Sequence, residues 1–376
     1  MFKNIEINNF RALKQIKVDD FKQFNLIVGE NNCGKTSLLE ALYLSINPVN
    51  SALPGKINNW RGLDPFDVNI WKSIFYRYNT DLEISINSET SAPIENRHIK
   101  IKPRKVPDML KTSFVEDFTQ SDVNLIEESS STFKTYINGV IINFYYYDSK
   151  GKKSPDYSSL IYLKEEFLSA DVKTLIGKQI EPFHIEIDTK YKATTDGRFS
   201  SSATLFSGFN KRFGELIRKK AVSPLINILK KVDLHLKDIV LIGNKIFVDL
   251  DFDELAPLNI MGDGFLNFFA LLLNTINTEN GILLIDEVQN GIYYKKQELL
   301  WDVIFDIAEQ YNIQIFATTH SFDCVQAFHN SYVKRNLEDD KLRLYRIERN
   351  DNDNYLVTKY NQKELNVYIE NEWEIR

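Results

Sequence analysis

Between residues 29 and 36 the chain reads Gly29-Glu30-Asn31-Asn32-Cys33-Gly34-Lys35-Thr36, which fits the pattern G-x-x-x-x-G-K-[ST]. No other stretch restricts the fold as tightly, because this pattern works only where a strand runs into a tight turn and the turn opens a helix. The flanks meet that requirement. Asn25 to Val28 runs apolar into the first glycine, and from Lys35 to Ile46 the residues Leu38, Leu39, Leu42 and Ile46 recur at helical spacing until Pro48 stops them. Glycines at both ends let the backbone of Asn31, Asn32, Cys33 and Gly34 curl so that successive N–H groups point inward, and the helix dipole adds positive potential. Such a loop cradles phosphates. Lys35 would reach the β and γ phosphates, the Thr36 hydroxyl would ligate Mg²⁺, and Ser37 completes the cradle in the first helical turn. Cys33 has two readings: a thiol with a lowered pKa near a helix N-terminus, or, the favoured one, a small filler residue.

Around this motif the chain alternates strands and helices. Ile5, Ile7 and Phe10, then Ile16 and Val18, alternate with polar neighbours as strands do. From about Leu82 to Tyr191 the texture changes to short strand-like runs (Leu82 to Ile86, Ile137 to Tyr147, Phe183 to Ile187) separated by Ser, Asn, Pro and Lys clusters. Residues 203 to 235 read as helical with a break before Pro224, followed by a hairpin about Gly243-Asn244. Beyond it come an apolar helix from Gly264 to Ile276, a buried strand Ile282 to Ile285, a helix Gln297 to Gln310, a strand Ile313 to Ala317 and a helix starting at Ser321. Alternating buried strands and helices predict an α/β fold with a parallel, layered sheet. The expected division is 1–81 and 236–376 as two halves of one head, with 82–235 as a mixed α+β insertion.

Two further segments carry chemistry. Ile282-Leu283-Leu284-Ile285-Asp286-Glu287 is an apolar strand ending in two acids at the edge where α/β sheets bind ligands. Asp286 would hold Mg²⁺ through its water shell, and Glu287 would act as general base on the water attacking a γ phosphate. Ile313 to Ala317 leads into Thr318-Thr319-His320-Ser321, one strand beyond the acid pair, where His320 could touch the same phosphate. The expected catalytic set is Lys35, Glu287 and His320, with ATP and Mg²⁺ bound. The other histidines, His98, His184, His235 and His329, read as structural or surface residues.

Composition closes off other classes. Apolar residues make up 43% and charged residues 26%, which supplies a core and excludes wholesale disorder. A net charge of −6 argues against a chain held globally on a phosphate polymer, though a local basic patch is allowed. Two cysteines, Cys33 and Cys324, cannot make a disulfide scaffold or a Cys-based zinc site, which favours a reducing compartment. The N-terminus has no basic-then-apolar leader and no stretch nears a membrane span, so a soluble, cytoplasmic protein is expected.

The three motifs in this order resemble an ABC-type ATPase head split by an insertion. Ile7-Asn8-Asn9-Phe10-Arg11 followed by Leu26-Ile27-Val28-Gly29-Glu30-Asn31-Asn32 is similar to the RecF, SMC and OLD group, above all to stand-alone OLD-like AAA-family ATPases of bacteria, including those of anti-phage defence operons. Trp60-Arg61-Gly62-Leu63, Met261-Gly262-Asp263-Gly264-Phe265 and Asp286-Glu287-Val288-Gln289-Asn290-Gly291 support it. The resemblance implies that Gly262, Asp263 and Gly264 stand at the signature position, where a helix N-terminus of one subunit touches the γ phosphate held by the other; a plain turn capping the next helix is the alternative. Where the signature commonly has serine, this chain has Gly262. Asn290 and Gly291 fall at the D-loop, or form a tight turn. Arg11 corresponds to an arginine that approaches nucleotide, or is an exposed strand-end residue; Arg61 is weaker still.

OLD nucleases continue into a metal-dependent TOPRIM domain, and the residues after His320 are too few for one. Asp351-Asn352-Asp353 matches Asp-x-Asp but lies between strand-like runs, where turn residues are expected. Phe144 to Tyr147 reads as a half-buried strand. The resemblance therefore implies an ATP-gated homodimer that regulates a separate effector, plausibly a TOPRIM-type nuclease. The rivals are a RecF-like DNA clamp, with Lys100 to Lys105 and Lys150 to Lys153 as its candidate basic surface, and an ATP-binding scaffold without turnover.

Overall fold

The computed structural model describes residues 1–64, 70–107, 135–164, 183–335 and 340–371. A six-stranded sheet forms the centre. Its order is β16 (Tyr355–Tyr360), β15 (Leu342–Arg349), β3 (Phe24–Val28), β14 (Gln314–Thr318), β13 (Ile282–Ile285) and β9 (Gly197–Ser200), and every neighbouring pair is parallel except β15 and β16. Strands β3, β13 and β14 are buried along their whole length, as a parallel strand covered on both faces must be. Alternate residues feed two different cores: Ile27, Leu284 and Phe316 face one layer, whereas Leu26, Leu283 and Ile315 face the other.

The first layer holds α1 (Lys35–Ile46), and behind it lies a seven-stranded antiparallel sheet in the order β2 (Leu13–Val18), β1 (Phe2–Phe10), β4 (Ile84–Ser91), β5 (Ile94–Pro107), β6 (Thr135–Asp148), β7 (Tyr157–Leu163) and β8 (Phe183–Glu186). Caught between two sheets, α1 is buried nearly all round, which explains why its sequence is apolar beyond a single stripe. The outer sheet has one wet face, so β4 and β7 alternate buried and partly exposed residues. The two sheets are stitched by Gln314, whose Oε1 accepts from Phe2 N at 2.7 Å and whose Nε2 donates to Phe2 O at 2.8 Å.

The second layer holds α5 (Asp263–Ile276), α6 (Tyr294–Gln310) and α7 (Phe322–Val333), with α3 (Phe209–Arg218), α4 (Val222–Val232) and a small sheet of β10 (Asp238–Ile242), β11 (Lys245–Asp249) and β12 (Ala256–Pro257) beside them. Among the described residues no helix is long and apolar enough to cross a membrane.

The break expected before Pro224 falls at 219–221, and Pro224 sits in the first turn of α4, where its missing N–H has no helical acceptor to lose. Two expectations shift. The boundary expected at 81/82 runs through one sheet, because β4 pairs with β1 residue by residue (Ile86 opposite Ile7). Within the supposed insertion, β9 joins the central sheet beside β13. The polar alternation of these strands comes from the wet face of the sheet that β1 and β2 begin.

Candidate functional site

Because β3, β13 and β14 run parallel, their C-terminal ends share one edge, and Gly29, Asp286 and Thr319 leave the sheet together. β14 lies between the phosphate-loop strand and the acid strand, so His320 sits between the two motifs and not beyond the acids.

The loop needs its glycines. Gly29 has φ 144° and Gly34 φ 95°, and a Cβ would come within 2.3 Å of Ile347 O at the first and 2.6 Å of Leu13 Cδ2 at the second. Lys35 Nζ arches over the loop and donates to the carbonyls of Gly29 (2.8 Å) and Glu30 (3.0 Å). Cys33 is buried, and burial pushes its thiol above the ordinary value against the opposing pull of Lys35, which favours the filler reading over a reactive thiol. Asn31, Asn32, Gly34, Lys35, Thr36 and Ser37 line a cleft that Arg61, Glu287 and Arg349 complete.

At the floor of the cleft, Thr36 Oγ1 donates to the Asp286 carboxylate, 3.0 Å from each oxygen, and Thr318 Oγ1 donates to Asp286 Oδ1 at 2.8 Å. Burial, with the charges of Glu287 and Glu40 nearby, holds the Asp286 carboxyl above its usual value, although the two threonine hydroxyls pull the other way. A hydroxyl and a carboxylate side by side are the oxygen donors that Mg²⁺ takes from a protein when phosphates supply the rest, so the pair fits that ion.

Glu287 has φ 52°, a left-handed conformation that costs a non-glycine residue roughly 1–3 kcal/mol. Its backbone is pinned by Glu287 N donating to Thr318 Oγ1 at 2.8 Å. Its Oε2 accepts from Gln289 Nε2 at 2.6 Å and from His320 Nδ1 at 2.7 Å, and Gln289 is itself fixed by Thr319 Oγ1 donating to its Oε1 at 2.7 Å. With Nδ1 donating, His320 is left with Nε2 as its outward atom. Among the described residues no group bonds Glu287 Oε1, so one carboxylate oxygen is held and the other is available.

Other expected residues lie elsewhere. Arg11 does not line the cleft: φ 51° in the β1–β2 turn sends it inward, where Nε lies 2.6 Å from Glu40 Oε2 and Nη2 donates to Asn58 Oδ1 at 2.8 Å. Its pull inward is the buried charge of Glu40, which sequence spacing gave no means of seeing. Arg61, the fainter expectation, is the arginine that reaches the cleft, steadied by its Nε donating to Glu40 Oε1 at 2.7 Å. Gly262, Asp263 and Gly264 open α5 away from this cleft, with Gly262 and Asp263 exposed. They neighbour the turn at Asn290 and Gly291, where Asn267 Nδ2 donates to Asn290 O at 3.3 Å.

Arg349, Gln289 and Glu40 were not singled out. Arg349 enters the cleft because β15 pairs with β3, and Asp353 holds its Nε at 2.8 Å. The same carboxylate accepts from Tyr76 and Arg77, so Asp353 is spent on a clamp and not on a metal. Among the described residues no group of three or more His, Cys, Asp or Glu is placed to hold an ion. Of the lysine runs, Lys100 and Lys102 share Glu83, Lys105 pairs with Asp81 and Lys153 with Asp156, so part of their charge is met on the surface.

A phosphate loop, an acid-tipped strand and a histidine-tipped strand on one edge of a parallel sheet, backed by an antiparallel sheet, define a P-loop ATPase head. The chain belongs to the family described as "AAA domain, putative AbiEii toxin, Type IV TA system", whose sequence model matches residues 24–323. It is 24% identical to an ATP/GTP phosphatase of Helicobacter pylori over 393 residues, covering 99% of both chains. The DNA replication and repair protein RecF of Clostridium kluyveri is 28% identical over 152 residues, 39% of this chain and 40% of that one. Among solved structures, an Smc head bound to the C-winged helix domain of ScpA covers 96% of this chain and 98% of its own, at 13% identity and a TM-score of 0.49.

Proposed function

We propose that the chain binds ATP with Mg²⁺, hydrolyses it slowly, and closes on ATP into a homodimer that regulates a separate effector. The observation that carries the reading is that Thr36 and Glu287 line one cleft beside the phosphate loop, with Asp286 bonded to Thr36 and His320 to Glu287. Loop N–H groups and Lys35 hold the phosphates, with Arg61 on the opposite wall. Thr36 and Asp286 would hold Mg²⁺, which supplies neutralising charge to the phosphates when bound. Glu287 Oε1 takes the proton of the attacking water, while Gln289 and His320 keep the carboxylate aimed. His320 Nε2 is the atom left to meet the γ phosphate. A relative named for ATP and GTP phosphatase activity over its full length supports turnover.

Dimer closure is supported by the exposed N-terminus of α5, which sits apart from its own phosphate loop and is free to approach a second one. Glycine at 262 gives no hydroxyl to that contact, in keeping with slow turnover. The family description, with its toxin and type IV toxin–antitoxin terms, supports a cytoplasmic role in toxin control or anti-phage defence, with an effector such as a TOPRIM-type nuclease on another chain. A RecF-like DNA clamp is the second reading, favoured by the partial RecF similarity and disfavoured by the paired lysines.

The test of closure uses Glu287→Gln, which keeps ATP bound, and light scattering. The mass should double with ATP and fall back when Gly262→Arg is added. Position 262 suits the probe because a Cβ there meets nothing within 4 Å, whereas one at Gly264 would press on Gly291 O at 3.1 Å. An unchanged mass with saturating ATP rejects the gated dimer and leaves the chemistry standing.

A further inference from the structure

On the far side of β13 from the phosphate loop, β9, the turn at 201–208 and α3 border a cavity of about 170 Å³ that opens to solvent. It shares no lining residue with the nucleotide cleft. Arg198, Arg212, Ser200, Thr204, Ser207 and Trp60 line it, and no carboxylate does.

The donors have an unusual surplus. Arg198 spends Nε on Asn277 O at 2.9 Å, which leaves both of its Nη groups without a partner among the described residues. Arg212 spends Nη2 on Leu205 O at 3.2 Å and Nη1 on Ser207 O, and its Nε is fully buried with no hydrogen-bond partner among the described residues. A buried unsatisfied N–H on a cation asks for an explanation. Ser200 Oγ accepts from Asn274 Nδ2 at 2.9 Å, so its own proton is available to donate, while Thr204 gives its proton to Phe199 O at 2.7 Å.

Charge points the same way. Among the described residues neither arginine is paired with an acid; carbonyls satisfy their N–H groups but not their charge. Burial first, then the neighbouring Arg198, pushes Arg212 down to about 10, and Glu215, the acid that faces it from α3, does less in the other direction. Asp196, just before β9, accepts from Gly197 N at 2.9 Å and lines a neighbouring cavity instead. The open Nη edge of Arg198 and the Ser200 hydroxyl, beside the unpaired charge of Arg212, match a tetrahedral oxyanion.

We propose that this cavity binds a small phosphate-bearing anion, at a second site separate from the phosphate loop. The site is built into the head: Ser200 O accepts from Asp286 N at 2.8 Å, and Trp60 precedes Arg61, so an occupant would sit one strand from the acid pair.

The test is isothermal titration of the full chain carrying Lys35→Ala, which disables the phosphate loop and lies outside the cavity. Inorganic pyrophosphate is titrated in one arm and AMP in the other. One site per chain is expected, weakened at least tenfold by Arg198→Gln and by Arg212→Gln. Binding of pyrophosphate alone would make the ligand a free phosphate, and binding of AMP a nucleotide-borne one. No binding of either in Lys35→Ala, or affinity unchanged in both glutamine variants, overturns the proposal. Arg212 also holds two backbone carbonyls, so a second measurement avoids the substitution: phenylglyoxal should label Arg212 of the Lys35→Ala chain several-fold more slowly with pyrophosphate present, and equal labelling overturns the site. Nucleotide binding by the unmodified chain is scored separately, so failure here leaves the ATPase reading intact.

Discussion

Glu40 is the residue on which two arginines depend, and removing it should cost far more than a surface ion pair. Its side chain is 3% exposed, with Oε2 2.6 Å from Arg11 Nε and Oε1 2.7 Å from Arg61 Nε. The two halves differ in value. Arg61 is 37% exposed, so water screens that pair to about 1 kcal/mol or less. Arg11 is 6% exposed; burial, and the repulsion of Arg61, already hold its guanidinium below the usual arginine value, with Glu40 the chief opposing influence. Breaking a buried pair from one side typically costs about 3–5 kcal/mol. Arg11 would keep its bond to Asn58 Oδ1, which places Glu40→Leu near the lower end, at about 3 kcal/mol. Removing both charges at once, in Arg11→Met with Glu40→Leu, should recover most of that loss. Urea unfolding followed by circular dichroism on all four members of the cycle measures the coupling. A single Glu40→Leu within about 1 kcal/mol of wild type, or a double mutant no more stable than that single, refutes the buried-pair argument. Arg61, released from Glu40, should also lose its place in the cleft and weaken ATP binding.

Two further expectations follow from the cleft. Gln289→Leu removes the amide that holds Glu287 Oε2, so phosphate release should slow by about ten- to a hundredfold with ATP affinity unchanged, whereas a loss of affinity with turnover intact would contradict a positioning role. Asp286 has its carboxyl raised by burial and by neighbouring acids, so it gains a proton at higher pH than an ordinary carboxylate does. Mg²⁺-dependent ATP affinity should therefore fall as pH drops toward that raised value, by up to about tenfold per unit below it, and Asp286→Asn should flatten the profile. A wild-type profile as flat as that of Asp286→Asn would exclude the carboxylate as the Mg²⁺ ligand.

Where local sequence decided local structure, the elements were legible. The helix expected from Lys35 to Ile46 and the strand from Ile282 to Ile285 match residue for residue, because a glycine-rich turn fixes the first and a full apolar run the second. The phosphate loop, Asp286, Glu287 and His320 come together because parallel strands bring their C-terminal ends to one edge, a consequence of the α/β pattern alone. What stayed hidden depends on pairing across long chain separations. β9 is four residues long and acquires meaning only beside β13, and β5 and β7 carry polar residues on their wet face, so neither stands out as a strand. The order expected of Arg11 over Arg61 is reversed, since the difference lies in the buried carboxylate of Glu40 and in a positive φ at Arg11. Gln289 is an ordinary polar residue in sequence; only the turn after Glu287 puts its amide against the carboxylate.

The central claim is that Glu287 supplies the base in a cleft that binds ATP through Lys35, Thr36 and Asp286. Single-turnover phosphate release, measured with enzyme in excess over ATP so that all nucleotide is bound, isolates that step. Wild type should release phosphate, and Glu287→Gln should bind ATP at least as tightly yet release it about 10²–10⁴ times more slowly, the usual share of a general base. Release at the wild-type rate by Glu287→Gln, with ATP bound and Mg²⁺ present, would contradict the account.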